Sequence, residues 1–504
     1  RSRNDEMMEI SPNGTDSSVD AQRAKMEASG VDFFYGEAQA LSDVSLEIQE
    51  RHVTALIGPS GCGKSTFLRI FNRMNDLVPG ARVEGEILYR GRNLYGDDID
   101  PVEVRRINAL GPEDLPYMMP TGELLEDVSP RETLEIAVDA IDVAAFRTRQ
   151  EKARAEGRYL GLGLCTVIES TTYGSEFYKS AGIPGSGHES AWVRIEPSGA
   201  VNASVGLMGT GQGYESPLSQ AVAEGLGVRS EDVTVHMGNT DIAPYGMGSR
   251  GGRGATAGGG TLYLCALKAR ERVLAIAASM LDLNDAGGLR MRAGQIERMI
   301  GDDWQETGLA LTDIARRAYL DPLALPEGIA PGLDFSHSYD PPAMTYSNST
   351  HACEVEVDPQ TGAISIDRYL VAEDSGTVLN PIVVRGQQQG AIAMGLSGAL
   401  LEQVIYDRTG QNLSATLADY LVASPNELPE FEILHHNTPN RRTPAGIKGM
   451  AEGGVMGAIG VLANAVSDAL APRGVTIERL PLTPQSIRAL LREAAPSSTK
   501  RTQP

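Results

Sequence analysis

The stretch Asp97-Asp-Ile-Asp-Pro-Val-Glu-Val-Arg-Arg-Ile-Asn108 decides how the chain is to be read, because the residues on its two sides follow different patterns. Upstream, short alternating runs lead into a single phosphate-cradling glycine loop. Downstream, to residue 504, glycine-rich loops recur before helical runs and no second loop of the upstream kind occurs. The stretch reads as a seam between two units, each of which looks incomplete.

Composition sets the outer bounds. The 504 residues give room for about three domains at ~150 residues each, with cores that need no staples. Lys and Arg number 44 against 66 Asp and Glu, a formal charge of -22, which argues against a nucleic-acid or anionic-membrane surface, since both need a basic face. A small-molecule or protein partner is expected instead. The 56 glycines exceed the usual ~7%, so many tight loops are expected. Cys62, Cys165, Cys265 and Cys353 are far apart and form no Cys-x-x-Cys pair, so neither a zinc site nor an iron–sulfur cluster is encoded and a reduced cytoplasmic setting is expected. No secretory h-region stands at residues 1–10 and no run of 18 apolar residues is seen, so the chain should be soluble. The apolar runs Ala391 to Leu401 and Gly453 to Val466 are short and rich in Gly and Ala, which suits close helix packing.

Residues 1–25 are polar and aperiodic and read as a disordered tail. Val31-Asp-Phe-Phe-Tyr-Gly36 and Val44-Ser-Leu-Glu-Ile48 alternate like strands, and Val53-Thr-Ala-Leu-Ile57 suits a short buried strand. Next comes Gly58-Pro-Ser-Gly-Cys-Gly-Lys-Ser65, a complete G-x-x-x-x-G-K-[ST] loop with a helix beginning near Ser65. In such a loop Gly58, Pro59, Ser60, Gly61, Cys62 and Gly63 bring backbone groups to phosphate oxygens, and Lys64 reaches the terminal phosphates. Ser65 can ligate Mg²⁺, and Thr66 opens the helix behind it. Tyr35 is the aromatic that would stack on an adenine, with a core role equally open.

With Phe34-Tyr35-Gly36, Arg73-Met-Asn-Asp-Leu77 and Val83-Glu-Gly-Glu-Ile87, the loop makes residues 26–106 resemble the start of an ABC-transporter ATPase of the phosphate-import type. The resemblance implies ATP with Mg²⁺ and a membrane permease as partner, at the inner face of the membrane. After Arg106, however, no Q-loop, Leu-Ser-Gly-Gly-Gln signature, acidic strand or switch histidine follows. Without a carboxylate to hold Mg²⁺ or position water, ATP hydrolysis is not expected, and a sheet cut short leaves open strand edges.

From residue 107 the pattern changes. Glu132 to about Glu156 has helical periodicity. Tyr159 to Ile168, Ala191 to Glu196 and Ala203 to Met208 read as strands of one mixed sheet, the last running into Gly209-Thr-Gly-Gln-Gly-Tyr-Glu215. A helix over 217–227, a strand at Val233-Thr-Val-His236, a second glycine loop over 246–254 and a long helix to about Leu281 follow. Strands at 353–357 and 364–371 flank an Asp358-Pro-Gln-Thr-Gly362 turn, and a small-residue helix spans about 383–404. The third loop, Gly446-Ile-Lys-Gly-Met-Ala-Glu-Gly-Gly454, stands directly before a helical run to Leu470. Three glycine loops at helix starts suit a large polyanionic cofactor, because backbone N–H groups there bind phosphates. His435 and His436, being adjacent, point to different faces and read as structural.

Residues 103–493 resemble the C-terminal part of the molybdenum-binding subunit of the xanthine dehydrogenase, aldehyde oxidase and carbon monoxide dehydrogenase-like family. The residues that carry it are Gly209-Thr-Gly-Gln-Gly213, Gly238-Asn-Thr-Asp241, Ser249-Arg250, Asp374-Ser-Gly376 with Asn380-Pro381, Gly386-Gln387, and Lys448-Gly449 with Ala451-Glu452. The resemblance implies a molybdopterin, often the cytosine dinucleotide, with molybdenum held by the pterin and not by protein cysteines. It implies cofactor contacts from Gly211, Gln212, Gly213, Ser249, Arg250, Gln387, Lys448 and Gly449, and Glu452 as the catalytic base. It also implies separate iron–sulfur and FAD subunits as partners, with neither group in this chain. The family's N-terminal portion has no counterpart before residue 100. Met394 stands where many relatives have Gln, and Gly390-Ala391 where a Gly-Gly is frequent.

The expected architecture is therefore α+β (mixed): a multi-lobed molybdenum-hydroxylase cofactor-binding domain over 107–504, preceded by a truncated P-loop ABC-ATPase fragment. The expected activity is oxidative hydroxylation of an aldehyde or N-heterocycle, a small-molecule substrate, with no nucleic acid involved. The alternatives are an ATP-binding subunit of a phosphate importer, favoured only by the loop 58–65, and a non-functional chimera of the two.

Overall fold

The computed structural model describes residues 24–49, 52, 54–59, 61–73, 75, 78, 80–95 and 100–494. The disordered tail expected over 1–25 lies, up to residue 23, outside the described residues, as does the part of the seam at 97–99; Ala24 and Lys25 already belong to a strand. The chain divides into two units, Arg1–Ile107 and Asn108–Pro504.

The first unit contains β1 (Ala24–Tyr35), β2 (Ala38–Gln49), α1 (Lys64–Phe71), β3 (Ala81–Tyr89), β4 (Arg92–Asn93) and α2 (Pro101–Asn108). Its strands form an antiparallel sheet in the order β2-β1-β3-β4. The β1–β3 register slips between Ser29 and Asp32, where Gly85 has φ +98° and a Cβ on it would lie 2.4 Å from the Gly30 carbonyl oxygen. Only glycine fits that crossing. Val31, Phe33 and Ile87 on the sheet pack with Phe67 and Ile70 of α1. The buried strand expected over Val53–Ile57 is not formed: residues 54–57 are irregular, Ile57 is 77% exposed, and Val53 lies outside the described residues. An apolar run becomes a central strand only when neighbours pair with it, and the strand that would flank it is missing from the sequence.

The second unit opens with a ribbon of β5 (Tyr117–Met118) and β6 (Leu124–Leu125), then α3 (Pro130–Ile141) and α4 (Val143–Ala155). One continuous helix was expected here. Asp142 breaks it in the left-handed region at φ 51°, and its carboxylate accepts from the Ala145 amide at 3.1 Å, capping α4. There follow β7 (Tyr159–Thr171), α5 (Ser175–Ser180), β8 (Glu189–Ile195), β9 (Val201–Val205), α6 (Glu215–Leu226), β10 (Val233–His236) and α7 (Gly260–Met280), the last preceded by a π-helical turn over Gly254–Gly259. A meander of β11 (Leu289–Arg292), β12 (Gln295–Ile300) and β13 (Asp303–Ala310) leads to α8 (Leu311–Leu320) and β14 (Asp334–Tyr339). Then come β15 (Thr345–Val357), β16 (Ile364–Asp374), α9 (Pro381–Leu400), β17 (Phe431–His436), α10 (Gly453–Leu470) and α11 (Pro484–Glu493).

Two four-stranded sheets organise these elements, β10-β9-β8-β14 and β17-β16-β15-β7. The strand β7 thus does not join β8 and β9 in one sheet as expected. It pairs with β15 along its whole length, from Thr345 opposite Thr171 to Val357 opposite Tyr159, because both are 13-residue strands whose apolar positions need cover on both faces. The first sheet buries Val193, Ala203 and Val205 against α6 and α7. The second carries α10 on one face, and Gly161 and Gly163 explain how closely. A Cβ at either would lie 1.9 Å from a helix carbonyl oxygen, that of Ala465 or Val461. The outer edge of β7 is covered by side chains: Gln150 donates to the Leu160 carbonyl, Asn464 donates to that of Leu164, and Asp468 accepts from the Leu162 amide. That arrangement satisfies a free strand edge.

The helices α9 and α10 pack through small residues, as their sequences predict: a Cβ at Gly395 or Gly454 would lie 2.7 Å from the Ala458 or Ala391 methyl. The apolar stretch Gly453–Arg473 is longer than the run ending at Val466 suggested, and by length and composition alone it could cross a membrane. Here it is the core helix on β7 and β15, with Val461, Leu462, Ala465 and Val466 fully buried.

Candidate functional site

Four loops of the second unit meet around a cavity of about 300 Å³. One leads into α6, one into the π-helical turn before α7, one from β16 into α9, and one into α10. They bring Gln212, Ser249, Arg250, Gln387, Lys448 and Glu452 to a single wall, although these residues are up to 240 positions apart in sequence. Gly211, Gly213 and Gly449 do not line it. Gly211 and Gly213 have φ of 103° and 69° and shape the turn. Gly449 packs loop on loop, since a Cβ there would lie 2.6 Å from both the Gly252 carbonyl oxygen and the Thr171 Cβ.

Several wall residues are already engaged. Gln212 braces its own loop, its Oε1 accepting from the Thr210 amide at 2.6 Å. Ser249 donates to the Met208 carbonyl at 3.0 Å, and the Arg250 guanidinium stands 4.9 Å from the Tyr178 ring centroid. Gln387 donates to the Ala451 carbonyl at 2.8 Å. The Lys448 side chain is fully buried, and its ammonium is committed to the Asp127 carbonyl and, at 3.4 Å, to Asp374. Burial pushes the Lys448 pKa down, against the pull of Asp374. Asp374 also accepts from the Ser129 hydroxyl and the Gly376 and Thr438 amides, so the pair pins the loop after β16 to the loop before α10.

The helix starts are partly occupied as well. Asn380 accepts from the Ile382 and Val383 amides at the start of α9. At α10 the Glu452 and Gly453 amides both donate to Glu169 at 2.9 Å. What stays open to a ligand is more local. The Ser375 hydroxyl, in the wall, is buried and has no hydrogen-bond partner, and Glu452 is exposed at the cap position of α10, its side chain making no cap bond.

Two buried carboxylates had escaped sequence reasoning. Glu189 and Arg253 form an ion pair at 2.7 Å with both side chains fully buried. Arg253 also donates to the Gly187 and Gly248 carbonyls, which fixes the loop bearing Ser249 and Arg250. A Cβ at Gly246 would lie 1.6 Å from Glu189 Oε1, so the glycines there make room for the carboxylate. Burial raises the Glu189 pKa against the opposing effect of Arg253. Glu169, 2% exposed, likewise has its pKa raised, first by burial, while its hydrogen bonds lower it. An arginine amid glycines was a usable signal for the first; Glu169 gave none. Among the described residues no three His, Cys, Asp or Glu side chains group as a metal site. His435 contacts Glu373 at 2.7 Å.

In the first unit the loop 58–63 leads into α1, whose first turn holds Lys64, Ser65 and Thr66, with Gly61 and Gly63 at φ 85° and 92°; Ser60 lies outside the described residues. The Lys64 ammonium turns onto its own loop, donating to the Gly58 and Pro59 carbonyls at 2.7 Å. Tyr35 packs edge-on against Phe33, with its hydroxyl 3.3 Å from Thr66 Oγ1.

Comparison with known proteins gives two sets of matches. A family model described as molybdopterin cofactor-binding domain matches residues 136–429, and one described as ABC transporter matches 41–158, although α3 and α4 pack against β7, β15 and β16 of the second unit. The chain is 33% identical over 389 residues to the nicotine 6-hydroxylase large subunit of Paenarthrobacter nicotinovorans, covering 77% of this chain and 47% of that one. It is 60% identical over 82 residues to a phosphate import ATP-binding protein of a Synechococcus strain, covering 16% of this chain and 30% of that one. The structure of quinoline 2-oxidoreductase from Pseudomonas putida 86 superposes with a TM-score of 0.73 at 35% identity, covering 78% of this chain and 50% of that one. The chain spans about half the length of the large-subunit relatives it matches, 47% of the nicotine 6-hydroxylase large subunit and 49% of the carbon monoxide dehydrogenase large chain of Hydrogenophaga pseudoflava.

Proposed function

The chain belongs to the molybdopterin cofactor-binding family, and from that premise we propose that its second unit holds a molybdopterin, in the cytosine dinucleotide form, and serves oxidative hydroxylation with water as oxygen source. The substrate class is an N-heterocycle or an aldehyde, the former suggested by the nicotine and quinoline enzymes it resembles. The observation that carries this reading is the convergence of Gln212, Arg250, Gln387 and Glu452 on one cavity.

The wall fits such a group. The unpartnered Ser375 hydroxyl offers a buried hydrogen bond, Arg250 a cation for phosphate, and Gln212 and Gln387 polar edges for the pterin. The cavity is at the low end of the ~300–1,000 Å³ usual for ligand pockets. The rest of the enclosure is assigned to the part of the relatives' length that this chain does not cover. When bound, the molybdenum centre supplies a two-electron acceptor for the substrate carbon. Glu452 acts as general base, taking up a proton on its carboxylate at a helix start whose dipole favours the anion. The partners that would take up those electrons are separate iron–sulfur and FAD subunits, in the cytoplasm. The first unit is assigned an ATP and Mg²⁺ site without hydrolysis, supported by the loop 58–66 alone.

The test is metal analysis of the full chain purified from a molybdopterin-producing host, together with Glu452→Gln. The expected result is stoichiometric molybdenum in both proteins, with turnover lost only in the variant. Purified chain without molybdenum would refute the reading.

A further inference from the structure

Four backbone groups of the three consecutive residues 451–453, at the corner carrying Glu452, are held by side chains from elsewhere in the unit. The Ala451 carbonyl accepts from Gln387 at 2.8 Å. The Glu452 and Gly453 amides each donate at 2.9 Å to one oxygen of Glu169, whose Oε2 also accepts from the Ser347 hydroxyl at 3.1 Å. The Gly453 carbonyl lies 3.1 Å from His351 Nε2. Thus α9, β7 and β15 all converge on one peptide corner.

The chemistry of that corner is selective. A helix start leaves amides that a side chain at the cap position usually satisfies. The residue at the cap position of α10 is Glu452, and its side chain makes no cap bond. Glu169, buried in β7, takes the amides instead, using both carboxylate oxygens on two successive N–H groups. A glutamine there would have one oxygen and would set an NH₂ against one of the two amides, donor facing donor. Burying a carboxylate is costly, and two amides plus a hydroxyl are the kind of donor set that offsets it. The Glu452 carboxylate is left outside the cap, in the cavity wall.

We propose that Glu169 is a positioning residue for Glu452: it occupies the helix start in place of the Glu452 side chain and, with Gln387, fixes the backbone from which that carboxylate reaches the cavity. The inference rests on the reading of Glu452 as the base. Glu169 does not line the cavity, so its effect is on placement.

The experiment compares wild type, Glu169→Gln, Gln387→Ala, Glu452→Gln and the Glu169→Gln/Glu452→Gln double variant as the full chain in its active assembly. Hydrogen–deuterium exchange over 450–456 reads the clamp directly. The Glu452 and Gly453 amides should exchange at least ~10-fold faster in Glu169→Gln while amides of β15 stay unchanged. Turnover reads the consequence: kcat falls ~10- to 100-fold with KM nearly constant, as for a misplaced catalytic group, and the double variant is no slower than Glu452→Gln alone. Gln387→Ala, at a partly exposed position, releases the corner from the other side; because Gln387 also lines the cavity, its readout is faster exchange at the Glu452 and Gly453 amides, which keeps the test even if Glu169→Gln fails to fold. Unchanged exchange at 452 and 453, or an undiminished kcat loss for Glu169→Gln in the Glu452→Gln background, overturns the inference alone. Wild-type kcat in Glu452→Gln overturns the base reading and the inference with it.

Discussion

Acidification from pH 7 to pH 5 should destabilise the second unit through His351. This imidazole is fully buried between β15 and α10, with Nδ1 2.7 Å from the Tyr369 hydroxyl and Nε2 3.1 Å from both Ser349 Oγ and the Gly453 carbonyl. Burial pushes its pKa down to about 4, below the ordinary 6.5. Because the folded value is the lower one, the unfolded chain binds a proton that the folded chain refuses as pH falls from 6.5 towards 4. The stability His351 contributes is therefore complete above pH 6.5 and is lost through that window. At ~1.4 kcal/mol per pH unit the loss is about 2 kcal/mol at pH 5 and about 3 kcal/mol below pH 4. The assay is urea unfolding of wild type and His351→Gln at both pH values. Glu169 and Glu373, whose pKa values burial raises, and the surface carboxylates act in both proteins and cancel. Wild type should lose about 2 kcal/mol more than the variant. Equal losses in the two proteins would refute the reasoning.

Other perturbations separate packing, charge and ligand effects. Gly163→Ala places a methyl 1.9 Å from the Val461 carbonyl oxygen, a backbone obstacle, so unfolding experiments should show a cost near the upper end of the ~1–3 kcal/mol for overpacking. Lys448→Met leaves Asp374 buried but still accepting from Ser129, Gly376 and Thr438. The cost should therefore sit at the low end of ~3–5 kcal/mol, a drop in Tm of ~4 °C for a unit of this size at ~2 cal/mol/K per residue. Lys64→Ala should abolish binding of a fluorescent ATP analogue, while phosphate release from ATP stays at the buffer baseline in both proteins.

Sequence patterns exposed much of this architecture, and their failures have physical causes. Val233–His236 matches its strand residue for residue, because turn signals bound it on both sides. The small-residue runs now in α9 and α10 announced close helix contact, which Gly395 and Gly454 make. The break at Asp142 was invisible because periodicity reports faces and not backbone handedness. The partner of β7 was invisible because β15 lies some 180 residues away. At the cavity, loop residues such as Gln212, Arg250 and Glu452 carried recognisable motifs. Glu169 and Glu189 did not, since each is defined by a partner distant in sequence. Val53–Ile57 shows the converse: its local pattern is that of a strand, and over the described residues 54–57 the pattern, without neighbours, is not realised.

Where α10 crosses Gly161 and Gly163 of β7 the contact is helix backbone against glycine, beside the bonds that Asn464 and Asp468 make to the same strand. A helix seated in that way behaves as a gauge rod. Its 18 residues span ~27 Å at 1.5 Å per residue, with Glu452 at one tip and, near the other, Ala465 and Ala469 resting on Gly161. Bulk added at Gly161 would press on the far end of the rod, whose other tip the clamp on residues 451–453 holds in place. Positions about 20 Å from the cavity are thus tied, through one helix, to the placement of a residue in its wall.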